Sequence, residues 1–236
     1  MSNHLYDGVF APHADSTKTF LYTADRDISF AEFTALTDRI AAMLVAQGVA
    51  PGDRVAVQAD KSVLLFAIYA ATVKAGGVYL PLNTGYTPAE LDYFLGDAKP
   101  RIVVTSNAAA EAITPIAARI GAVLMTLDGD ESGSLAEAAM QHEGSFTAVP
   151  RGSEDLAAIL YTSGTTGRSK GAMLSHGNLA SNARALSEQW GWQPSDVLLN
   201  ALPIFHVHGL FIASHCALLN ATPMIFLDKF DAGEVM

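Results

Sequence analysis

The first strong pattern along the chain is a helical repeat of apolar residues. The repeat occupies Phe30, Phe33, Leu36, Ile40 and Leu44. Spacings of three and four residues place these side chains on one face of an α-helix. Ser29 and Glu32 have the spacing of a capping box, and Gly48 suits the C-terminal stop. The pattern therefore predicts a helix between Ser29 and Gly48.

Short apolar runs then alternate with helical segments through the rest of the chain. The predicted strands are 54–59, 78–82, 102–105, 123–127, 156–161, 197–202 and 224–228. The predicted helices are 62–74, 87–97, 108–120, 135–142, 177–190 and 208–219. This alternation predicts an α/β fold of mostly parallel sheets covered by helices on both faces. The polar, irregular stretch 143–154 predicts a linker between two sheet-building halves, 1–150 and 151–236.

Composition argues against several classes of protein. Hydrophobic residues make up 50% of the chain, enough for a substantial core, and the net charge of −10 comes without a Lys/Arg cluster. Nucleic acid is therefore not an expected partner. The longest apolar run ends at Lys74, well short of the roughly 20 residues that span a bilayer. The first residues carry Asp7 and no basic start, and Cys216 is the single cysteine, so we expect a cytoplasmic protein.

One polar segment has the composition of a phosphate-binding loop. Residues 161–171 read Tyr-Thr-Ser-Gly-Thr-Thr-Gly-Arg-Ser-Lys-Gly, between an apolar run and a helix predicted to begin near His176. Glycines let backbone N–H groups turn inward, and the hydroxyls add further donors. Arg168 and Lys170 add positive charge. The order Lys170 then Gly171 excludes a Walker A loop, in which Gly-Lys precedes Ser or Thr.

A second candidate segment carries two histidines. Residues 202–210 read Leu-Pro-Ile-Phe-His-Val-His-Gly-Leu and follow a predicted strand, where open α/β sheets bind ligands. We interpret His206 as a group that hydrogen-bonds a carboxylate. The alternative is that His206 lies in the core and hydrogen-bonds a backbone carbonyl. The core alternative is favoured for His208, and His176 and His215 are interpreted as structural. No Cys, Asp or Glu lies near to complete a zinc set.

Both segments resemble signatures of a known family. Residues 161–171 closely resemble the Ser/Thr/Gly-rich signature of the adenylate-forming superfamily, which includes acyl-CoA synthetases, firefly luciferase and the adenylation domains of peptide synthetases. Residues 202–210 are similar to malonyl-CoA synthetases in particular. The resemblance implies an ATP-dependent acid–thiol ligase that forms malonyl-CoA through a malonyl-adenylate and releases AMP and pyrophosphate. Another short-chain acyl-CoA synthetase, or a non-catalytic nucleotide- or acyl-binding module, is the alternative.

Residues 74–91 resemble a further signature of the same superfamily, with a mainly architectural role. Gly76 and Gly77 are expected to allow close approach of a helix to a strand, and Pro81 to stand where a strand leaves the sheet. Tyr79 and Tyr86 are interpreted as packing residues rather than ligand contacts.

The resemblance also implies binding residues. ATP and its pyrophosphate would be bound by Thr162, Ser163, Gly164, Thr165, Thr166, Gly167 and Lys170. Thr162 would also help to hold Mg²⁺, His206 would lie in the acyl pocket, and CoA would be the co-substrate.

Several functional parts of the superfamily have no match in this sequence. They are the adenine-binding segment with its Mg²⁺-binding glutamate, the ribose-binding aspartate and the catalytic lysine, and the resemblance implies that they fall beyond Met236. We therefore expect the truncated N-terminal domain of a longer enzyme, without catalytic residues of its own. We also expect it to be inactive alone and able to self-associate.

Overall fold

The computed structural model describes residues 2–162 and 169–235, and the described strands form two sheets. The strands are β1 Thr19–Tyr22, β2 Asp27–Ser29, β3 Arg54–Gln58, β4 Val78–Pro81, β5 Ile102–Thr105, β6 Val123–Thr126, β7 Leu156–Thr162, β8 Lys170–Ser175, β9 Leu198–Asn200 and β10 Met224–Phe226. The six-stranded sheet has the order β6-β5-β3-β4-β7-β8, and the four-stranded sheet has the order β2-β1-β10-β9.

Helices pack on these sheets. They are α1 Phe30–Ala46, α2 Val63–Lys74, α3 Pro88–Ala98, α4 Asn107–Ile120, α5 Ser134–Ala139, α6 His176–Gln189, α7 Ser214–Leu219 and α8 Ala232–Val235. Shorter helical turns are the π-helical segments Tyr6–Phe10 and His208–Ala213 and the 3₁₀ turn Ala11–His13. None of the helices in the described ranges combines the length and apolar character that a membrane span requires.

The predicted α/β class is confirmed, because all strand pairs are parallel except β1 with β2 and β7 with β8. Both sheets take strands from both sides of residue 150. The division into subdomains 1–150 and 151–236 stays a prediction. The predicted capping box is present, with Ser29 Oγ accepting from the N–H of Glu32 at 3.1 Å, and Thr87 caps α3 through Glu90 in the same way, at the predicted start of the helix 87–97.

The core is organised around α2, which is buried along its whole length. Its last residue, Lys74, forms an ion pair with Asp38 of α1, and these side chains are only 7% and 8% exposed. The Lys74 ammonium also lies 4.7 Å from the centre of the Tyr6 ring. This cation therefore joins the N-terminal turn, α1 and α2 inside the core.

The two glycines after α2 are closely packed, Gly77 against α2 as the sequence predicted and Gly76 against the irregular segment between α5 and β7 instead. Gly76 has a φ of +77°, and a Cβ there would stand 2.9 Å from Val149 Cγ1. A Cβ on Gly77 would stand 3.1 Å from Thr72 Cγ2, so both positions need glycine for close approach. Tyr79 is buried, with its ring 5.1 Å from that of Tyr69.

The strand–loop–helix prediction for residues 156–190 is wrong in one respect. After the loop the chain forms β8, which returns antiparallel along β7 and pairs Leu160 with Ala172. Gly171 belongs to this strand, and a Cβ there would stand 2.9 Å from Ile159 Cγ2. Gly171 thus permits packing within the hairpin and is not a turn residue of the loop. The helix begins at His176, as predicted.

Candidate functional site

Three segments meet around a small cavity of about 90 Å³. They are the carboxyl end of β4, the carboxyl end of β7 and the loop that follows β9. The lining residues are Pro81, Asn83, Tyr86, Leu160, Tyr161, Thr162, Phe205, His206 and Val207. The cavity therefore joins the two segments that the sequence singled out separately, one by Thr162 and the other by His206.

The β7–β8 hairpin places two candidate phosphate-binding residues opposite each other. Thr162 ends β7 and pairs with Lys170, the first residue of β8, and both are exposed. Directly paired residues of antiparallel strands project to the same face of the sheet. The Thr162 hydroxyl and the Lys170 ammonium therefore lie on the same face of the hairpin, where β7 ends and β8 begins.

Other residues named by the sequence analysis lie outside the described residues. These are the remaining predicted phosphate-binding residues, Ser163, Gly164, Thr165, Thr166 and Gly167. Met236, beyond which the catalytic residues are expected, also lies outside them. The phosphate contacts of 163–167 and the placement of the catalytic residues beyond Met236 therefore stay predictions.

Helix α3 contacts the chain both at the end of β7 and just before β8. Tyr93 Oη donates to the carbonyl of Ser169 at 3.0 Å, and Tyr161 Oη donates to Asp97 Oδ2 at 2.5 Å. The Tyr161 ring also packs 4.5 Å from that of Phe94. Burial, and then the Asp97 bond, raise the pKa of Tyr161, so its hydroxyl stays a proton donor. The supporting role of Tyr93 and Tyr161 is not visible in the sequence, because nothing in their spacing marks it.

His206 stands at the tip of the loop after β9. Its side chain is exposed, its ring lies 4.7 Å from that of Phe205, and it lines the cavity. Its backbone N–H donates to the Pro203 carbonyl at 3.3 Å. His208 is also exposed, so its interpretation as a core histidine is wrong, and it is not among the residues that line this cavity. Of these two histidines, His206 therefore lines the cavity and His208 does not.

The other two histidines considered in the sequence are buried. His176 Nδ1 accepts the N–H of Leu5 at 3.3 Å, and burial lowers its pKa to about 4. His215 Nε2 lies 2.8 Å from Tyr69 Oη, and burial lowers its pKa to about 3. Both are therefore neutral near pH 7, in keeping with the structural role expected for them.

The described residues offer a Mg²⁺ ion few ligands of their own. Within residues 2–162 and 169–235, no group of three or more His, Cys, Asp or Glu side chains could hold a metal. Thr162 presents an exposed hydroxyl, a hard oxygen ligand, at the end of β7. Mg²⁺ bound on nucleotide phosphates keeps several waters and needs few protein ligands, so Thr162 fits such an ion.

Comparison with known proteins identifies the family. Residues 11–235 match the model of the AMP-binding enzyme family, and the chain belongs to that family. MatB from Rhodopseudomonas palustris, solved without nucleotide and with ATP bound, is 52% identical with a TM-score of 0.96 over 100% of this chain and 47% of its own. The resemblance to adenylate-forming enzymes is thereby confirmed.

Curated relatives agree with this placement. The mitochondrial malonate–CoA ligase ACSF3 of Mus musculus is 34% identical over 194 residues, covering 80% of this chain and 33% of that protein. The long-chain-fatty-acid–CoA ligase FadD13 of Mycobacterium tuberculosis is 32% identical over 213 residues, covering 90% of this chain and 42% of that protein. The chain thus spans less than half the length of these relatives.

Proposed function

We propose that this chain is the ATP- and acid-binding part of an AMP-forming acid–thiol ligase that joins malonate to CoA. The observation that carries the proposal is the cavity shared by Thr162 and His206. Because both residues line it, the cavity supports a phosphate contact beside an acyl contact, as a reaction between a carboxylate and a phosphate requires.

In the proposed reaction, a malonate oxygen attacks the α-phosphate of ATP. The bond from the α-phosphate to the bridging oxygen breaks, which releases pyrophosphate and leaves malonyl-adenylate. The CoA thiol then loses its proton to solvent, its sulfur forms a bond to the acyl carbon, and the bond from that carbon to the AMP oxygen breaks, which releases AMP. Thr162 and Lys170 would bind the departing pyrophosphate, whose negative charge a neighbouring ammonium stabilises. Mg²⁺ on the ATP oxygens, with Thr162 as a ligand, would neutralise part of the same charge.

The choice of malonate rests on His206 and on the relatives. Malonate carries a second carboxylate, which an imidazole at the cavity wall can hydrogen-bond, and an imidazolium can pair with it. Relatives named malonate–CoA ligases occur in Mus musculus and Arabidopsis thaliana, at 34% and 33% identity. An enzyme for another short-chain acid, or a binding module without activity, would use the same cavity without this preference.

The test is ATP–pyrophosphate exchange by the full-length protein with a panel of short acids. We expect malonate to support the fastest exchange, ahead of acetate, propionate and succinate. Faster exchange with a monocarboxylic acid would show another short-chain ligase. No exchange with any acid, together with measurable ATP binding, would show a nucleotide-binding module.

We further propose that residues 1–236 alone do not form malonyl-CoA. By the family resemblance, the adenine and ribose contacts, the Mg²⁺-binding glutamate and the catalytic lysine come from segments beyond Met236, without which the α-phosphate is not held in line. The assay supplies residues 1–236 with ATP, Mg²⁺, malonate and CoA. Turnover within about tenfold of a typical enzyme kcat of about 10 s⁻¹ would place the catalytic set inside them and refute this proposal.

Self-association of residues 1–236 is also proposed. Strand β8 lies at the edge of the six-stranded sheet and exposes 66% of Met173. An edge strand with an exposed apolar residue can pair with another chain. Sedimentation of residues 1–236 at increasing concentration tests this, and a monomer at all concentrations would contradict it.

A further inference from the structure

Lys61 connects the two sheets at the turn between β3 and α2. It is 9% exposed, and its ammonium donates to Asn200 O at 2.7 Å, to Asn200 Oδ1 at 3.3 Å and to Leu202 O at 3.1 Å. The Phe226 ring centre lies 4.2 Å from the ammonium. Because an ammonium has three donors, these acceptors occupy all of them. The Lys61 ammonium therefore bonds groups of this chain, at the carboxyl end of β9.

Asn200 extends this contact to the far end of the loop that carries His206. Its Nδ2 donates to the Gly209 carbonyl at 3.1 Å and to Ser214 Oγ at 3.2 Å. Ser214 Oγ in turn donates to the Gly209 carbonyl at 2.8 Å. Both side chains are buried, so water does not compete for these bonds. Residues 201–208 are therefore held at both ends by one polar cluster.

Close backbone packing fixes the path between these two ends. A Cβ on Gly209 would stand 2.3 Å from the carbonyl oxygen of Pro203, so the two ends of the loop touch where only glycine fits. Within the loop, the Leu210 N–H donates to the His206 carbonyl at 3.0 Å. Phe205 and His206 then stand between these fixed points and line the candidate cavity.

The cost of burying Lys61 argues that its ammonium has a specific role. Burial lowers its pKa to about 7, against the opposing effect of Asp228. A buried cation lowers stability unless acceptors compensate it, and an apolar side chain of equal length would fill the same space at lower cost. What the ammonium adds over such a side chain is three directed bonds to the start of the loop.

We propose that Lys61, Asn200 and Ser214, here called the Lys61 cluster, are positioning residues that fix loop 201–208 and set the place of His206 in the cavity. The claim that this cluster fixes the loop does not depend on which reaction the protein catalyses. That the position of His206 governs malonate binding rests on the proposed function.

The first test is amide hydrogen exchange on the full-length protein. Lys61→Met keeps an unbranched side chain, one atom shorter, and removes its donors. We expect the amides of His206 and Leu210 to exchange about 10- to 100-fold faster, measured relative to amides of β5. Lys229→Met is the matched control, since Lys229 is exposed and lines the same neighbouring cavity as Lys61. Equal acceleration in β5 and in the loop would overturn the proposal and make Lys61 a general core residue.

A second variant covers the case in which Lys61→Met does not fold. Asn200→Asp keeps an oxygen for Lys61 but loses the donor to the Gly209 carbonyl. We expect the Leu210 amide to exchange faster in this variant too, and unchanged exchange would overturn the role of Asn200.

The second test uses the full-length protein. Whichever of the two variants folds should raise KM for malonate about tenfold or more and leave KM for ATP unchanged. A loosened loop with an unchanged malonate KM would overturn the positioning of His206. If the unmodified full-length protein had no ligase activity, the proposed function would fail instead. The hydrogen-exchange experiment alone would then show whether the Lys61 cluster fixes the loop.

Discussion

His215 should make the protein sensitive to acid. Its side chain is 1% exposed among the rings of Phe10, Tyr69 and Phe211, with ring centres 5.7–5.8 Å away. Burial lowers its pKa to about 3 in the folded chain, whereas an unfolded histidine has a pKa of about 6.5. Below pH 6.5 the unfolded chain therefore binds a proton that the folded chain does not accept.

The sign and size of the effect follow from this difference. The free energy of unfolding is at its full value above pH 6.5 and falls as the pH falls, until the folded pKa of about 3 is reached. The slope is about 1.4 kcal/mol per pH unit, so acidification from pH 7 to pH 5 removes about 2 kcal/mol through His215. His176, whose pKa burial lowers to about 4, acts in the same direction.

Urea unfolding of wild type and His215→Gln at pH 7 and pH 5 isolates the His215 contribution. Gln can still hydrogen-bond Tyr69 Oη but does not titrate. The variant is expected to be less stable at pH 7, yet to lose about 2 kcal/mol less than wild type on acidification. His208→Gln, at an exposed histidine, should behave as wild type. An equal acid loss in wild type and His215→Gln would refute the reasoning.

Three further predictions concern the core and the site. Lys74→Met should lower the free energy of unfolding by about 3–5 kcal/mol, because it leaves the Asp38 carboxylate buried without its partner. Adding Asp38→Leu should recover most of this loss in urea unfolding, and additive losses would contradict it. In the full-length protein, Lys170→Ala should weaken the use of ATP more than that of malonate, whereas Lys229→Ala should change neither. His206→Ala should lower kcat/KM for malonate by a factor of about 10 to 150 and that for acetate less, because one charge-assisted hydrogen bond is lost. Equal losses for the two acids would indicate a packing role.

The elements that the sequence predicts well carry their own local signals. Helices α1 and α3 begin at the residues that the capping boxes indicate, because Ser29 and Thr87 satisfy N–H groups within the same turn. Strands β1 and β2 were missed. β1 has only four residues, and its partner β10 pairs Leu21 with Met224 from the opposite end of the chain. Such a strand depends on contacts that no local pattern records.

The candidate site shows the same limit. The rule that ligands bind at the carboxyl ends of parallel strands marks the ends of β7 and β9 separately. It does not say that these ends, which belong to different sheets, share one cavity between Thr162 and His206. Lys61 gave no signal either, because a single lysine before a helix resembles a solvated surface residue until the fold buries it.

The unpredicted strand β8 changes how the phosphate loop can work. A loop that leads directly into a helix would use the N–H groups and the positive end of that helix dipole. Here Lys170 is the first residue of the six-residue strand β8, which runs about 20 Å before α6 begins, and the first turn of α6 is already capped by Ser175. The dipole effect falls off within a turn, so under the proposed function α6 would add nothing to phosphate binding at Lys170. If the proposed function holds, Lys170, which pairs with Thr162 where β7 ends and β8 begins, would supply more of the positive charge than it would at a helix N-terminus. On this argument Lys170→Arg should retain most of the ATP use that Lys170→Ala loses, and an arginine variant as impaired as the alanine variant would show that the ammonium geometry, not the charge, is what the site requires.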